Sequence, residues 1–190
     1  MGGVAPGERV LVLGPGPIGL GIAIAAQARG ADVLLAGFND GPRLALAREM
    51  GIPACADLAG QDLDTAIADR FAAPPDLVFE ATGRPETVAE GLEALRPGGI
   101  LVAVGIHSRP LTLDLNLLVR GKKHLRGSHD STRASFEAAI AMLAAEPARF
   151  ARMITHRLPL SQAEQGFARA RDGTALKVML FPKSRGGELV

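Results

Sequence analysis

A glycine-rich turn near the start of the chain carries the residues best placed to do chemistry. Four apolar residues end at Gly14, and Gly16 and Gly19 complete the spacing G-x-G-x-x-G before a helical pattern begins. In that context Gly14 permits a tight strand-to-helix turn, Gly16 lets a pyrophosphate approach the backbone, and Gly19 lets the helix pack closely on the strand. Pro17 fits the first helical turn, whose free N–H groups and dipole favour phosphate. The motif predicts a dinucleotide site; the alternative is a Gly/Pro loop without a ligand.

Composition limits the classes of function open to the chain. Its 190 residues are 47% hydrophobic with a net charge of +1, which allows one good core and gives no field to attract nucleic acid or acidic membrane. No apolar run is long enough to span a bilayer, and the first four residues lack the features of a signal peptide. The single cysteine allows no internal disulfide, which suits a reducing compartment. We therefore predict a cytoplasmic protein with no nucleic-acid and no membrane partner.

Side chains suited to direct catalysis are few. The chain has no tyrosine, which excludes the Tyr–Lys proton transfer of short-chain dehydrogenases. Its four histidines do not fall at metal-ligand spacing, and one cysteine excludes a zinc site built from several thiolates. Cys55 is interpreted as a small buried residue near the third strand, with a nucleophile or metal ligand as the alternative. We predict no catalytic residue and no metal ligand.

Short apolar runs and helical patterns alternate along most of the chain and must position the glycine turn. The alternation predicts an α/β fold, a Rossmann-type doubly wound parallel sheet flanked by helices. Because the pattern changes after Glu146 and Pro147, we predict a dinucleotide-binding domain over residues 1–150 and a C-terminal segment over 151–190. The predicted strands are residues 10–13, 33–36, 53–56, 77–80, 100–104, 124–128, 154–158 and 177–181, with a half-exposed extended segment over 111–115. The predicted helices are residues 18–29, 43–50, 62–71 and 85–95, one capped by Ser131 or Thr132, and one opened by a capping box over 161–164.

The order of motifs resembles the C-terminal half of the medium-chain, zinc-type alcohol and polyol dehydrogenases, of the sorbitol and threonine dehydrogenase types. The resemblance covers residues 7–182, and its order and spacing are more specific than any one motif. The matching segments are PGERVLVLG at 6–14, GPIG at 16–19, RLALA at 43–47, MG at 50–51, EATG at 80–83, PGG at 97–99, VGI at 104–106, LRGS at 125–128, ITHR at 154–157 and KV at 177–178.

The resemblance implies where a cofactor would lie. It places Ile18 beside the pyrophosphate, Arg43 near the adenosine ribose, and residues 104–106 on the nicotinamide side. The loop at 128–129 would close over the cofactor, and residues 82–83 fall at a strand end where open α/β sheets bind ligands. The predicted cofactor-binding residues are Gly14, Gly16, Pro17, Ile18, Gly19, Asn39, Arg43, Thr82, Gly83, Val104, Gly105, Ile106, Ser128 and His129.

The end of the second strand departs from the family pattern. NAD-binding members carry an acidic residue there, but this chain has Gly37 or Phe38, and Asp40 follows a few residues later. A missing carboxylate together with Arg43 favours NADP slightly over NAD. Arg43 has a second interpretation, a solvated helix residue whose aliphatic stem stacks on adenine.

The resemblance also implies a catalytic domain that the sequence does not contain. In the family the zinc, the substrate pocket and the proton relay lie mainly on an N-terminal domain, and the segment from about Ile154 returns to pack on it. We therefore expect zinc only in that absent domain and no dehydrogenase activity from this chain alone. Members of the family form dimers through the region of residues 124–128, which predicts a homodimer through this edge strand.

Several residues keep two interpretations. Glu80 ends a buried strand and needs a partner, which favours a structural role near the cofactor. His129 is either a cofactor contact or a surface residue. The basic residues at 120–126 are interpreted as a solvated turn, with a phosphate or interface role as the alternative. For the whole chain, the alternatives to a dehydrogenase domain are a non-catalytic nucleotide-binding or interaction module and a methyltransferase-like domain that binds S-adenosylmethionine.

Overall fold

The protein is described here from a computed structural model that covers residues 3–182. Within this range the chain forms two units, residues 3–130 and 131–182. The predicted boundary at 150/151 marks the expected return to a catalytic domain and stays a prediction. Part of the predicted C-terminal segment, residues 183–190, lies outside the described residues.

The first unit is a parallel six-stranded sheet with the strand order β3-β2-β1-β4-β5-β6. The predicted α/β fold of Rossmann type is therefore confirmed. The strands are β1 (Arg9–Leu13), β2 (Asp32–Gly37), β3 (Cys55–Asp57), β4 (Leu77–Glu80), β5 (Ile100–Ala103) and β6 (His124–Gly127). The helices are α1 (Pro17–Ala28), α2 (Gly41–Glu49), α3 (Leu63–Arg70), α4 (Pro85–Ala94) and α5 (Asn116–Gly121).

The strand order reverses at β1, which pairs with β2 on one side and with β4 on the other. A crevice opens at the carboxyl ends of the strands where the order reverses, and ligands of open α/β sheets bind there. Val10, Leu11 and Val12 of β1 are fully buried, although their side chains alternate between the two faces of the sheet. Consecutive buried residues require helices on both faces, which is the doubly wound arrangement.

An ion-pair network holds the opposite end of the sheet. Arg9 of β1 donates from its backbone N–H, Nε and Nη2 to the carboxylate of Asp76, and Arg96 donates from Nε to the same carboxylate. These hydrogen bonds, those from the Arg9 side chain foremost, hold the pKa of Asp76 well below its usual range. Asp76 therefore ties β1 to the entry of β4 and to the end of α4.

The second unit contains a parallel strand pair with helices. It comprises α6 (Arg133–Ala145), α7 (Pro147–Ala151), β7 (Ile154–Pro159), a 3-10 turn (Leu160–Gln162), α8 (Ala163–Arg171) and β8 (Lys177–Phe181). Thr132 caps α6 by accepting a hydrogen bond from the Ser135 N–H, as one of the two predicted caps. The predicted capping box at 161–164 is wrong, because the 3-10 turn extends to Gln162 and this residue precedes α8 without a side-chain cap.

Other differences from the predicted elements are local. Exposure alternates over residues 111–114 as predicted, but Leu115 is exposed. The segment forms no strand, because Leu111 and Leu113 pack against the core without a ladder partner. β5 ends at Ala103, and Val104 begins the following loop by donating its N–H to the Glu80 carbonyl. Strand β6 ends at Gly127 rather than residue 128 and is exposed throughout.

Candidate functional site

A cavity of about 630 Å³ lies in the first unit at the carboxyl ends of β1, β2 and β4. This size suits a cofactor or small-molecule site. The lining residues are Leu13, Gly14, Pro15, Gly16, Ala36, Gly37, Phe38, Asp40, Arg43, Leu58, Gln61, Asp62, Leu63, Ala81, Thr82, Arg84, Glu86, Thr87 and Glu90. Four of the predicted cofactor residues belong to this wall: Gly14, Gly16, Arg43 and Thr82.

The glycine turn has the geometry that each glycine was predicted to supply. Gly14 has φ +106°, and a Cβ there would lie 3.0 Å from the Ala81 carbonyl carbon. A Cβ on Gly19 would lie 1.8 Å from the Gly14 carbonyl oxygen, so only glycine allows this approach of α1. A Cβ on Gly16 would have open space, which leaves this backbone accessible to a ligand.

Helix α1 directs its N-terminus into the same region. Gly16 is the N-cap residue and Pro17 occupies the first helical position; no side chain of the described residues caps this end. Ile18 is 60% exposed beside the turn. A helix end without a side-chain cap has N–H groups available for an anion, and the helix dipole favours negative charge there.

The loop after β2 brings an acidic and a basic side chain into the cavity wall. Asp40 and Arg43 form an ion pair of 3.2 Å between Oδ1 and Nη1. The chain folds back so tightly that a Cβ on Gly37 would lie 2.8 Å from the Asp40 Cβ and 2.8 Å from Pro15. Asn39, a predicted contact, has φ +55° and donates its N–H to Asp57, and it does not line the cavity.

The other fifteen wall residues were not predicted as cofactor contacts, and three of them have side chains that can interact with a ligand. Phe38 follows β2, Asp62 caps α3 after β3, and Arg84 follows β4. The Arg84 guanidinium carbon lies 6.0 Å from the centre of the Phe38 ring. Because all six strands are parallel, their following loops meet at one edge of the sheet, and this rule alone could have brought these loops together.

Charge on the cavity wall is mixed. Arg43 and Arg84 are cationic, and four carboxylates share the wall with them, at Asp40, Asp62, Glu86 and Glu90. The backbone N–H of Thr65, and then its hydroxyl, lower the pKa of Asp62 below its ordinary value, so this cap is ionised at neutral pH. The wall therefore offers cations to a phosphate and acceptors to hydroxyl groups.

The loops after β4 and β5 contact one another closely. Gly83 has φ +73°, and a Cβ there would lie 2.6 Å from the Ile106 carbonyl oxygen. A Cβ on Gly105 would lie 2.3 Å from the Gly83 nitrogen. Gly83 and residues 104–106 are thus brought together, but they lie outside the cavity lining. Ile106 is 84% exposed.

The remaining predicted contacts follow β6. Ser128 continues the ladder by donating its N–H to the Ala103 carbonyl. His129 is largely exposed, with Nε2 3.5 Å from Asp130 Oδ1. Neither lines the cavity, so their predicted closure over a cofactor stays a prediction.

Cys55, interpreted from sequence as a small buried residue near the third strand, is the first residue of β3. Cys55 is half-buried and donates from Sγ to the Ile52 carbonyl, and burial raises the pKa of its thiol, which disfavours a nucleophilic thiolate. Among residues 3–182, no three His, Cys, Asp or Glu side chains cluster in a way that could hold a metal ion. None of the helices in that range is both long and apolar enough to traverse a lipid bilayer.

Comparisons with known proteins agree with this geometry. The family described as glucose dehydrogenase C-terminus matches residues 4–180. Sorbitol dehydrogenase of Macaca fascicularis is 32% identical over 182 residues, which cover 94% of this chain and 51% of that protein. An alcohol dehydrogenase from Thermotoga maritima, 27% identical, has a TM-score of 0.86 over 94% of this chain and 51% of its own. An alcohol dehydrogenase from Escherichia coli CFT073, solved with NADH, is 20% identical with a TM-score of 0.80, covering 94% and 53%. The chain spans about half the length of the relatives that it matches.

Proposed function

The chain belongs to the glucose dehydrogenase C-terminus family, the C-terminal part of zinc-type polyol dehydrogenases, and from this premise we propose that residues 3–130 bind a nicotinamide dinucleotide. The bound cofactor would serve hydride transfer between its nicotinamide ring and an alcohol or polyol. One observation carries the proposal: the turn from Gly14 to Gly19 leaves its backbone open at Gly16 and has no side-chain cap among the described residues.

The residues present fit such a cofactor. The N-terminus of α1 would bind the diphosphate, and the Asp40–Arg43 pair would bind the adenosine ribose. The glycine contact between Gly83 and Gly105 would present backbone groups to the nicotinamide. When bound, the cofactor supplies the hydride acceptor or donor, and the contribution of this chain is to orient the ring and exclude water.

The same residues do not fit the zinc that the family implies. The described residues lack a cluster of three ligand side chains, so no step through a metal is assigned to them. We propose that zinc and the substrate pocket belong to the half of the relatives that this chain does not span. The chain alone would then bind a dinucleotide without turning over an alcohol.

The choice between NAD and NADP depends on the loop after β2. We propose NADP by a small margin, because no carboxylate stands at Gly37 or Phe38 and Arg43 lies in the cavity wall. Asp40 reduces that margin, since its carboxylate can accept a hydrogen bond from a ribose hydroxyl and repel a 2′-phosphate.

We further propose that β6 forms a homodimer interface. All four of its residues are exposed, and β6 occupies the end of the strand order. An open sheet edge presents unpaired backbone groups, and a second copy of the same edge satisfies them symmetrically.

Ligand-induced stabilisation tests the proposed cofactor. The chain is heated with NAD, NADP or their reduced forms at about one hundred times the dissociation constant, which should add about 2.7 kcal/mol to the free energy of unfolding. Comparison of the stabilisation by NAD with that by NADP shows whether the chain prefers the ribose with or without the 2′-phosphate. Absence of stabilisation by every dinucleotide would contradict the proposal.

A matched pair of variants separates binding from folding. At Gly16, φ is −71° and ψ is 178°, an extended conformation open to any residue. Gly16→Val should therefore lower the free energy of unfolding by no more than about 1 kcal/mol, the cost of an apolar N-cap residue, while its side chain blocks the diphosphate. Gly21→Ala lies five residues further along the chain, within α1 and also with open space, and should retain the ligand response. Full stabilisation of Gly16→Val by a dinucleotide would place the ligand elsewhere.

A further inference from the structure

Glu80 is a fully buried carboxylate whose hydrogen bonds fall on one of its two oxygens. Within 3.0 Å of Oε1 lie the backbone nitrogens of Thr82 and Gly83 and the hydroxyls of Thr82 and Thr87. Oε2 is buried and accepts no hydrogen bond from the described residues. A buried carboxylate oxygen without a hydrogen-bond donor raises the free energy of the folded state. A hydrogen bond from a donor within reach would remove this cost.

His107 is the group that faces this oxygen. Its Nε2 lies 3.4 Å from Glu80 Oε2, and this nitrogen is also buried without a hydrogen bond from the described residues. The His107 side chain as a whole is 21% exposed. The two atoms are chemically complementary, and their separation is about half an ångström longer than a normal hydrogen bond.

The pair joins the two loops that the glycine contact brings together. Glu80 Oε1 binds the backbone at Thr82 and Gly83, whereas Oε2 faces the loop after β5 and lies 2.7 Å from the place of a Gly105 Cβ. The Glu80 carbonyl also accepts hydrogen bonds from the N–H groups of Val104 and Gly105. The Glu80 carboxylate thus lies between the two loops, and the 2.8 Å ion pair of Arg109 with Glu86 also joins the loop after β5 to the start of α4.

We propose that Glu80 and His107 form a positioning pair that sets the nicotinamide-side backbone, and that their hydrogen bond closes when the nicotinamide half is bound. This inference rests on the proposed dinucleotide function. The pair acts through the backbone of residues 82–83 and 104–107. The adenosine half, held by the loop after β2 and by the N-terminus of α1, does not depend on it.

NAD and ADP-ribose differ only in the nicotinamide, so they test whether the pair affects the nicotinamide half of the site and not the adenosine half. Calorimetry with NAD and with ADP-ribose measures both dissociation constants for the unmodified chain and for His107→Leu, which keeps the volume and removes the donor. We expect NAD binding to weaken about tenfold, the effect of one lost charged hydrogen bond, while ADP-ribose binding stays within about twofold. His107→Gln restores a donor and should recover most of the NAD affinity. His124→Ala, an exposed histidine at the start of β6, should change neither constant.

Each outcome decides the proposal. Equal weakening of both ligands by His107→Leu, no weakening of either, or failure of His107→Gln to recover NAD binding would overturn the positioning pair and leave the cofactor proposal standing. If His107→Leu does not fold, His107→Ala makes the same comparison. If the unmodified chain binds none of NAD, NADP and ADP-ribose, the proposed function itself fails, and the positioning pair fails with it.

Discussion

The contact between α1 and the glycine turn predicts a large difference between two substitutions one helical half-turn apart. Gly19→Ala places a methyl group 1.8 Å from the Gly14 carbonyl oxygen, whereas real contacts of this kind keep about 3.0 Å. The helix or the turn must therefore move by roughly 1.2 Å. Gly21→Ala adds the same methyl group where no atom lies within 4 Å.

The magnitudes follow from opposed effects. Replacing a helical glycine by alanine gains up to about 1 kcal/mol of helix propensity at either position. Overpacking at a backbone contact costs about 3 kcal/mol, at the upper end of the range for close-packed interiors. Gly19→Ala should thus lose about 2 kcal/mol and Gly21→Ala gain about 1 kcal/mol, a difference of roughly 3 kcal/mol between the two variants.

Urea unfolding followed by circular dichroism measures this difference. Both variants are compared with the unmodified chain at equal slope, so a shift of midpoint reports a change in the free energy of unfolding. Equal stabilities for Gly19→Ala and Gly21→Ala would refute the close approach of α1 to the turn. That result would also remove the structural basis for the open backbone at Gly16.

Two further predictions concern the opposite end of the sheet and its edge. Asp76→Asn should lower the free energy of unfolding by about 2 kcal/mol at neutral pH, through weaker hydrogen bonds from Arg9. Because folding lowers the pKa of Asp76, its contribution is present above about pH 4 and is lost as the pH falls below that. Acid titration of the variant should therefore show a shallower loss of stability, and an unchanged acid profile would contradict the network. Leu125→Asp on β6, a residue 41% exposed, should convert a dimer to a monomer in light scattering, while Leu160→Asp in the second unit should not; a monomeric unmodified chain would refute the dimer.

The sheet could be predicted from sequence because each of its buried strands is a short run of apolar residues. Strands covered on both faces lose the alternation of exposed sheets, and β1 and β4 show this plainly. The helices between them predicted that the strands run parallel. Short helices such as α5, with six residues, were not predicted because so few turns give no readable periodicity.

The site was predictable where a backbone conformation demands a residue type. Gly14 and Gly19 are such positions, since a φ of +106° and a 1.8 Å approach exclude other side chains. Side chains that are distant in the sequence and become close only in the folded chain have no local pattern that predicts their contact. Phe38 and Arg84 lie in loops 46 positions apart in the sequence, and His107 follows a different strand from Glu80. Glu80 was expected to need a partner, but its sequence neighbours do not reveal which one.

The crowding around residue 37 limits how an acidic residue could be introduced at the end of β2. The usual route installs an acidic group at the tip of the second strand. Here the strand ends at Gly37, and a Cβ added to it would lie 2.8 Å from Pro15 on one side and 2.8 Å from Asp40 on the other. A carboxylate side chain at residue 37 would push the glycine turn at Pro15 away from the loop after β2. Redesign should instead vary residues 38, 40 and 43 and keep the glycine.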